Sequence, residues 1–276
     1  MQEEHPQEEI GQPLKGLTVI IPTYNVAPFL TRQIEHLQEL ADEILVCDSF
    51  STDETVNIAR SFGVRLIQKT YVNSATQKNW AIPQAKHEWV LILDSDELLE
   101  PELKNEIQEF IASATEDVHL ANIPRVNLFW GTPMPRPLGY PDYQSRLFRR
   151  DRGRYDGREV HSHVRVPGRS VYLKNHLVHR DFTDISSWWL KLNRYFRYEL
   201  KESLKQGRRW TLRRQFVYPV VIFVRVYFLR GGFFYAFPGF FVAFQQALYY
   251  FMIQATLYEH ELERKNPLVK KAANPF

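Results

Sequence analysis

An alternation of short apolar runs with amphipathic segments, between residues 17 and 112, constrains the fold more than any other feature of the sequence. Each run is rich in Val, Ile or Leu, and each amphipathic segment repeats its apolar residues at helical spacing. Successive strands that are joined by helices pair in parallel, because the crossover returns the chain to the same end of the sheet. We therefore predict an α/β fold with a mostly parallel central sheet. The predicted strands are 17–22, 43–48, 64–68 and 89–94, and the predicted helices are 26–40, 52–62, 74–85 and 100–112. Residues 118–182 are predicted to form shorter strands and loops, and residues 186–214 a helix.

Polar residues follow three of the predicted strands, in the segments Pro22–Asn25, Asp48–Asp53 and Asp94–Glu97. Sheets of this kind bind ligands beyond the carboxyl ends of their strands, so these segments mark the predicted site. The glycine-rich dinucleotide fingerprint does not follow the first strand, and the sequence contains no P-loop. This pattern argues against a dinucleotide-dependent enzyme and against a nucleoside triphosphatase.

Asp94 and Asp96 are the strongest candidates for metal binding. Alternate residues of an extended chain point the same way, so both carboxylates are expected to face one site. Hard oxygen ligands suit Mg²⁺ or Mn²⁺, which share their coordination with substrate phosphates. The alternative is that acidic residues simply follow a strand and cap the next helix.

The chain from about residue 17 to 180 resembles the family 2 glycosyltransferases, whose fold is called GT-A. The resemblance rests on four motifs in order, which are Pro22-Thr-Tyr-Asn25, Asp48 with Ser51-Thr-Asp53, Gln77-Lys-Asn79 and Asp94-Ser-Asp96. Phe50 departs from the family, where a glycine is common. The chain is similar to the subgroup that adds sugars to lipopolysaccharide core or related envelope glycans. This similarity is found in Asp48–Asp53, in Gln144–Phe148 and in Arg158–His161.

The resemblance implies roles in binding a nucleotide-sugar donor. Asp48 would bind the base through an N–H donor of uracil, and Asp94 would hold the ribose or a metal-bound water. Residues that would line the pocket for the base, ribose or phosphates are Pro22, Tyr24, Asn25, Lys78 and Asn79.

The resemblance also implies a divalent metal, Mg²⁺ or Mn²⁺, that bridges the diphosphate. Asp96 would coordinate it together with Asp94. A late histidine completes this site in several GT-A enzymes, and His161, which alternates with His163 along a predicted strand, is the candidate. His163, His176 and His179 are interpreted as structural or surface residues.

Transfer to a hydroxyl group needs a general base on the face of the sugar opposite the leaving group. Glu159 is the first candidate, Asp142 the second and Asp156 the third. The alternative for Glu159 is a surface salt bridge. Arg146 and Arg149 share a predicted strand, and we interpret them as a pair that either binds an anionic group or forms a solvated face.

Three aromatic residues are weighed as platforms for a sugar ring. They are Trp80, which we expect mostly in the core, Trp130 and Tyr140. For Trp130 the sequence leaves sugar stacking and core packing open.

Charge and aromatic residues divide the chain. Residues 1–120 carry 21 acidic and 8 basic side chains, whereas residues 191–276 carry 5 acidic and 15 basic ones. The 28 residues from Gly231 to Tyr258 contain no charge. We predict helices that lie in, or insert shallowly into, an anionic membrane surface. There are two alternatives, which are a spanning or re-entrant helix and a buried helical subdomain or dimer face. We do not predict nucleic-acid binding, because the uncharged run is mostly apolar.

We predict a flexible N-terminus (1–15), a donor-binding half (16–115), an acceptor-binding half of the same domain (116–185) and a basic, aromatic, membrane-associating helical region (186–276). The acidic N-terminus does not resemble a signal peptide, and the single Cys47 fits a reducing compartment. Both observations favour the cytoplasmic face of the inner membrane.

The predicted function is metal-assisted, inverting transfer of a hexose from a nucleotide diphosphate sugar, a UDP-sugar, to a lipid-anchored saccharide such as lipopolysaccharide core. Two alternatives stay open. One is a polyprenyl-phosphate sugar transferase, whose anionic acceptor needs no strong base. The other is a catalytically inactive, membrane-bound protein that binds nucleotide-sugars.

Overall fold

A computed structural model describes residues 14–156, 163–182 and 185–265. The chain forms two compact units. The first contains the residues up to Val126 and Pro141–His179, and the second contains Asn127–Tyr140 and the residues from Arg180 onward. The second unit therefore includes the predicted helical region together with a short segment from the middle of the chain.

The main sheet contains a parallel part and an antiparallel part. Strands β1 (Leu14–Thr23), β2 (Glu43–Asp48), β3 (Arg65–Gln68) and β4 (His87–Ile92) pair in parallel in the order β3-β2-β1-β4. The sheet continues beyond β4 through β8 (Asp142–Arg149), β6 (Val118–Phe129), β12 (Leu177–Phe182) and β5 (Glu97–Leu99). The prediction of a mostly parallel α/β sheet is confirmed in its first half.

Three helices connect the parallel strands as predicted, namely α1 (Ala27–Leu37), α2 (Thr55–Ser61) and α3 (Ser74–Ala81). The fourth predicted helix, α4 (Pro101–Ser113), lies between β5 and β6. Shorter elements complete the first two-thirds of the chain: β7 (Thr132–Pro133), α5 (Pro135–Leu138), β9 (Arg154–Tyr155), β10 (Val164–Arg165) and β11 (Arg169–Tyr172). Strand β9 pairs with β10 in a separate two-stranded sheet.

Alternation along the strands fills both faces of the sheet. In β1, Val19 and Ile21 belong to the apolar cluster that contains Leu30 of α1, whereas Ile20 belongs to the opposite cluster with Ile82. Every residue of β2 is buried. A central parallel strand is covered on both faces, which is why these strands read as continuous apolar runs in the sequence.

Three boundaries differ from the prediction. Strand β4 ends at Ile92 rather than at residue 94, and the acidic segment that follows turns into the unpredicted strand β5. Between residues 118 and 129, one 12-residue strand replaces the expected shorter strands. The helix predicted for 186–214 is two helices, α6 (Ile185–Lys205) and α7 (Leu212–Val224), because the chain turns at Gly207, whose φ is +66°.

The second unit is built around α8 (Ala236–Lys265), which packs against α7. Gln215 of α7 donates to the carbonyl oxygen of Phe251 at 3.2 Å, and the rings of Tyr218 and Tyr250 are 5.2 Å apart. Gly239 contacts the carbonyl of Gly232 so closely that a Cβ would overlap it, so this approach requires glycine. The segment Gly232–Lys265 is one helix that is long and apolar enough to cross a membrane by length and composition.

Candidate functional site

The carboxyl end of β2 is organised by Asp48. Its carboxylate is fully buried, with one oxygen accepting from Thr23 and the other accepting from the Ser51 N–H at 2.9 Å and the Gln68 amide at 3.0 Å. The Ser51 hydroxyl donates to it as well. These four donors fill the acceptor positions of a carboxylate. Asp48 therefore fixes the 48–51 loop, and contact with a base, as predicted, requires one of these bonds to open.

The loops after β1 and β2 are tied together by Asn25. Its backbone N–H donates to the Ser51 hydroxyl at 2.8 Å, and its side-chain oxygen accepts from the Thr52 N–H at 2.8 Å. Asn25 has a φ of +52° and Phe50 has a φ of +58°, both in the left-handed region. Phe50 thus adopts the left-handed conformation of a turn in which glycine is common in the family. Backbone strain of this kind is concentrated at binding sites. Tyr24 beside it is 60% exposed.

Helix α3 places three polar side chains at this edge. Gln77 donates to the Cys47 carbonyl oxygen at 3.0 Å and to Ser49 at 2.6 Å, so it joins α3 to the end of β2. Asn79 does not point at open space: its amide nitrogen donates to the Tyr155 carbonyl at 2.9 Å, and its oxygen accepts from the Tyr155 N–H at 2.8 Å. Asn79 therefore holds β9, and its predicted place in the donor pocket is at most that of a support.

Lys78, Asp94 and Arg146 form the electrostatic centre of the site. The ammonium of Lys78 lies 2.9 Å from one oxygen of Asp94, and the guanidinium of Arg146 lies 2.6 Å from the other. Burial alone would raise the pKa of Asp94, but the charges of Arg146 and Lys78 outweigh it and hold that pKa well below its usual range. Burial would lower the pKa of Lys78, and Asp94 raises it instead. All three groups are therefore charged at neutral pH.

Glu97 extends this network, and sequence reasoning missed it. Its side chain is fully buried and accepts from Arg146 at 2.8 Å and from the backbone N–H of Asp94 at 3.0 Å. Arg125 lies 3.5 Å from Glu97 and also donates twice to Asp142, at 2.7 and 3.0 Å. The candidate base Asp142 is thus engaged by an arginine. The only sequence signal for Glu97 is a third acidic residue immediately after the strand.

Asp94 and Asp96 are not held by an extended strand, as the prediction assumed. Residues 94–97 form a turn in which the Glu97 N–H donates to the Asp94 carbonyl at 3.0 Å. Asp96 lies 3.2 Å from the Nε2 atom of His179, which is largely buried. Strand pairing explains this contact, because His179 of β12 is in register with Glu97 of β5. A histidine that we interpreted as structural therefore meets the predicted metal ligand.

The donors fit a divalent ion in part. Asp96 and His179 offer one carboxylate and one imidazole, a set that suits Mn²⁺ or Mg²⁺ sharing its remaining positions with water and phosphate. Asp94 is already neutralised by two cations, which leaves it poorly suited as a direct ligand. Among the described residues, no three His, Cys, Asp or Glu side chains are grouped closely enough to form a metal site.

Two predicted residues, Glu159 and His161, lie outside the described residues. Their roles stay predictions. Asp156, the third candidate base, accepts from the His163 N–H at 3.1 Å, next to the pairing of β9 with β10.

Arg146 and Arg149 do not act as a pair. They are three residues apart in β8 and so lie on opposite faces. Arg149 donates to the carbonyl oxygens of Val118 and Thr115 and stacks on Trp89, 4.7 Å from its centroid. Only Arg146 reaches the site, and Arg149 is structural.

The candidate stacking residues separate as well. Trp130 packs against Phe237 and Phe241 in the second unit, with centroids 6.0 and 5.1 Å away. The ring of Trp80 packs beside the core and lies under the Lys69 ammonium. Tyr140, which is 39% exposed, keeps an accessible ring.

Comparison with known proteins identifies relatives of the whole chain. The model of the family described as glycosyl transferase family 2 matches residues 18–179, which is more than half of the chain. An uncharacterized glycosyltransferase of Rickettsia prowazekii is 27% identical over 92% of this chain and 90% of its own length. The lipopolysaccharide core biosynthesis glycosyltransferase LpsC of Rhizobium meliloti is 28% identical over 94% of this chain and 98% of its own length.

Solved structures with similarity to the chain include two glycosyltransferases. Staphylococcus aureus TarS in complex with UDP has a TM-score of 0.43 and 18% identity, covering 68% of this chain and 66% of that one. Glucosyl-3-phosphoglycerate synthase of Mycobacterium tuberculosis, in complex with Mn²⁺, UDP and its product, has a TM-score of 0.38 and 17% identity, covering 50% and 57%. The predicted GT-A fold is confirmed by the family match together with the observed sheet.

The Arg146 network predicts a large effect of one substitution on stability. Arg146→Met leaves buried Glu97 with the more distant Arg125 as its cationic partner among the described residues, and we expect a loss of about 3–5 kcal/mol in the free energy of unfolding. Urea denaturation at pH 7 measures it. Arg169→Met, which removes an exposed ion pair with Asp117, is the control and should leave the midpoint unchanged.

The same network sets the acid limb of stability. The pKa of Asp94 is lower in the folded than in the unfolded chain, so its stabilisation is present above about pH 4 and is lost as the pH falls below that value. Arg146→Met should flatten this acid dependence. A variant with wild-type stability and an unchanged acid limb would contradict the assignment.

Proposed function

Because this chain belongs to glycosyltransferase family 2, we propose that it transfers a hexose from a UDP-sugar to a lipid-anchored saccharide, with inversion at the anomeric carbon. The observation that carries the proposal is the Lys78–Asp94–Arg146 cluster with the nearby acid Asp96 and its partner His179. The name of the Rhizobium meliloti relative supports a saccharide of the lipopolysaccharide core as the acceptor.

The charge balance of the site supports use of a metal ion. A leaving nucleoside diphosphate gains negative charge as the sugar–phosphate bond breaks, and that charge needs nearby cations. Lys78, Arg146 and Arg125 are already matched by Asp94, Glu97 and Asp142, so the network carries no surplus positive charge. A divalent ion held by Asp96 and His179 would supply the missing charge to the diphosphate.

The donor pocket is assigned to the loops around this centre. Pro22, Tyr24 and Asn25 after β1 and the Asp48-ordered loop after β2 would surround the base and ribose. Lys78 would approach the phosphates, because its ammonium is already fixed at this edge by Asp94. The hydrogen bonds between these loops would preorganise such a pocket, which would reduce the entropy lost on binding.

Metal binding is tested by the pair that the structure brings together. Asp96→Asn and His179→Gln should each weaken Mn²⁺ binding in the presence of UDP by at least tenfold, measured by calorimetry. His176→Gln is the matched control, since His176 is three residues away and pairs with Glu100 instead. If His179→Gln bound Mn²⁺ and UDP like the wild type, His179 would be removed from the site.

Glu159 remains the proposed general base. Asp142 is a weaker candidate, because two hydrogen bonds from Arg125 already hold its carboxylate. Glu159 would take the proton from the acceptor hydroxyl. The oxygen of that hydroxyl would attack the anomeric carbon as the nucleoside diphosphate leaves.

Glu159→Gln is expected to lower the rate of transfer by about 10²–10⁴-fold while leaving the Kd of the UDP-sugar unchanged. Asp142→Asn is the comparison and should retain more activity. A Glu159→Gln variant that still glycosylates a polyprenyl phosphate would favour the lipid-phosphate acceptor. A wild-type protein that binds no nucleotide-sugar would favour the inactive binding protein.

The second unit supports association with the cytoplasmic face of a membrane. Helix α7 and the turn after it expose an apolar face, in which Phe216, Val220, Phe228, Leu229 and Phe234 are 57%, 61%, 55%, 79% and 70% accessible. From Ser203 to Tyr258 the sequence has seven basic residues and no acidic one. Exposed apolar area of this extent, flanked by arginines, fits an interface with anionic headgroups.

The exposed face is tested with vesicles. Phe216→Ser, Val220→Ser and Phe228→Ser together should reduce binding to anionic liposomes by at least tenfold, because each change removes apolar area from the interface. Val72→Ser with Tyr172→Ser, which alters exposed apolar residues of the first unit, is the control. Unchanged liposome binding with a loss of self-association would instead identify the face as a dimer interface.

A further inference from the structure

A small basic pocket lies in the second unit, between the end of α6, the turn that follows it and the last turns of α8. It has a volume of about 210 Å³, and its walls include Arg208, Arg209 and Arg264, with Leu204 and Leu257 as apolar wall residues. None of these residues belongs to the donor site or to the exposed apolar face of α7. Pockets for drug-sized ligands occupy roughly 300–1,000 Å³, so this one suits a small group rather than a nucleotide-sugar.

The turn after α6 builds one wall of this pocket. The Gly207 N–H donates to the Leu204 carbonyl at 3.0 Å, and the Arg208 N–H donates to the Ser203 carbonyl at 2.9 Å. This pattern, with Gly207 in the left-handed region, ends the helix and reverses the chain. Two consecutive arginines, Arg208 and Arg209, are thereby carried to the last turns of α8.

The charge of the pocket is positive. Glu261 also lines it, but its carboxylate accepts from the Trp210 N–H at 3.0 Å. Arg208 is shared with Glu199 at 3.4 Å. Arg209 and Arg264 form no ion pair with any residue that the structure describes. Two guanidinium groups are therefore available to an anion. Each guanidinium group can donate two parallel hydrogen bonds to the oxygens of one phosphate.

We propose that this pocket binds the terminal phosphate of a phosphomonoester lipid headgroup, an inference that rests on the proposed membrane association. The pocket is adjacent in the chain to Leu212, which begins α7 and is 64% exposed. A helix that lies in the interface by its apolar face holds such a pocket at the depth of the headgroups. A phosphomonoester has a charge of about −1.5 to −2 and three terminal oxygens, which matches unpaired arginines better than a singly charged diester does.

The test compares two vesicle types with equal surface potential, one containing phosphatidic acid and one containing phosphatidylglycerol. The wild type should bind the phosphatidic acid vesicles about tenfold more tightly. The double variant Arg209→Gln with Arg264→Gln should bind the two vesicle types equally, so that the tenfold preference for phosphatidic acid is lost. Arg213→Gln with Arg214→Gln, exposed arginines outside the pocket, is the matched control; it should weaken binding to both vesicles alike, by about fivefold per arginine, and keep the ratio.

The outcomes separate the pocket from the membrane proposal. A pocket variant that keeps the wild-type ratio would overturn the phosphate site, whereas a wild type that binds neither vesicle would overturn membrane association itself. Glycerol 3-phosphate should reduce the preference for phosphatidic acid more than sodium chloride does at the same ionic strength. Equal effects of the two salts would reveal surface charge alone and would also overturn the site.

Discussion

The candidate site depends on the two ion pairs that Asp94 forms, one with Lys78 and one with Arg146. They join α3, the end of β4 and β8, and the two Asp94 partners are themselves largely buried. Moving charges out of water is costly, so each group is stable there only because the others are present. Glu97 accepts from Arg146 and from the Asp94 backbone, which makes the acidic turn part of the same structure.

This arrangement separates the two acids of the Asp94-Ser-Asp96 motif. Lys78 and Arg146 hold Asp94 between them, whereas Asp96 lies beside the imidazole of His179. The two carboxylates are 34% and 39% exposed, so their partners and not their exposure distinguish them. The neutrality of the inner network is therefore the physical reason for expecting an additional cation when a diphosphate binds.

The sequence was sufficient for the elements whose residues are neighbours along the chain. Strand β2 was predicted with its observed bounds, because a continuous apolar run flanked by acids has few other interpretations. The sequence was insufficient where strands that are far apart along the chain pair with each other. His179 reaches Asp96 through the pairing of β5 with β12. Strand β5 has only three residues, one of them the buried Glu97, so no apolar pattern predicted this strand.

Local patterns did not show which polar side chains have partners within the protein. Asp48 and Asn79 are predicted to contact the nucleotide, and both also hydrogen-bond to other residues of the chain. The residue type indicated that these side chains lie at the site, but it did not indicate their hydrogen-bond partners. An amide or a carboxylate can form hydrogen bonds with backbone groups as readily as with a ligand. The break between α6 and α7 is similar: apolar spacing continues through it, and Gly207 is its main sequence signal.

The exposed apolar face of α7 connects the architecture to the choice of acceptor. Side chains such as Val220 and Phe234 remain in contact with water in the isolated chain, which is unfavourable unless something covers them. An acceptor carried on a lipid is confined to a thin layer at the membrane. An enzyme held at that layer meets the acceptor at a raised effective concentration, since the search takes place along a surface rather than through the whole volume. Under the proposed function, the exposed aromatic and aliphatic residues and the arginines of this segment would therefore have one physical reason, which is that transfer would take place at the surface where a lipid-anchored acceptor is held.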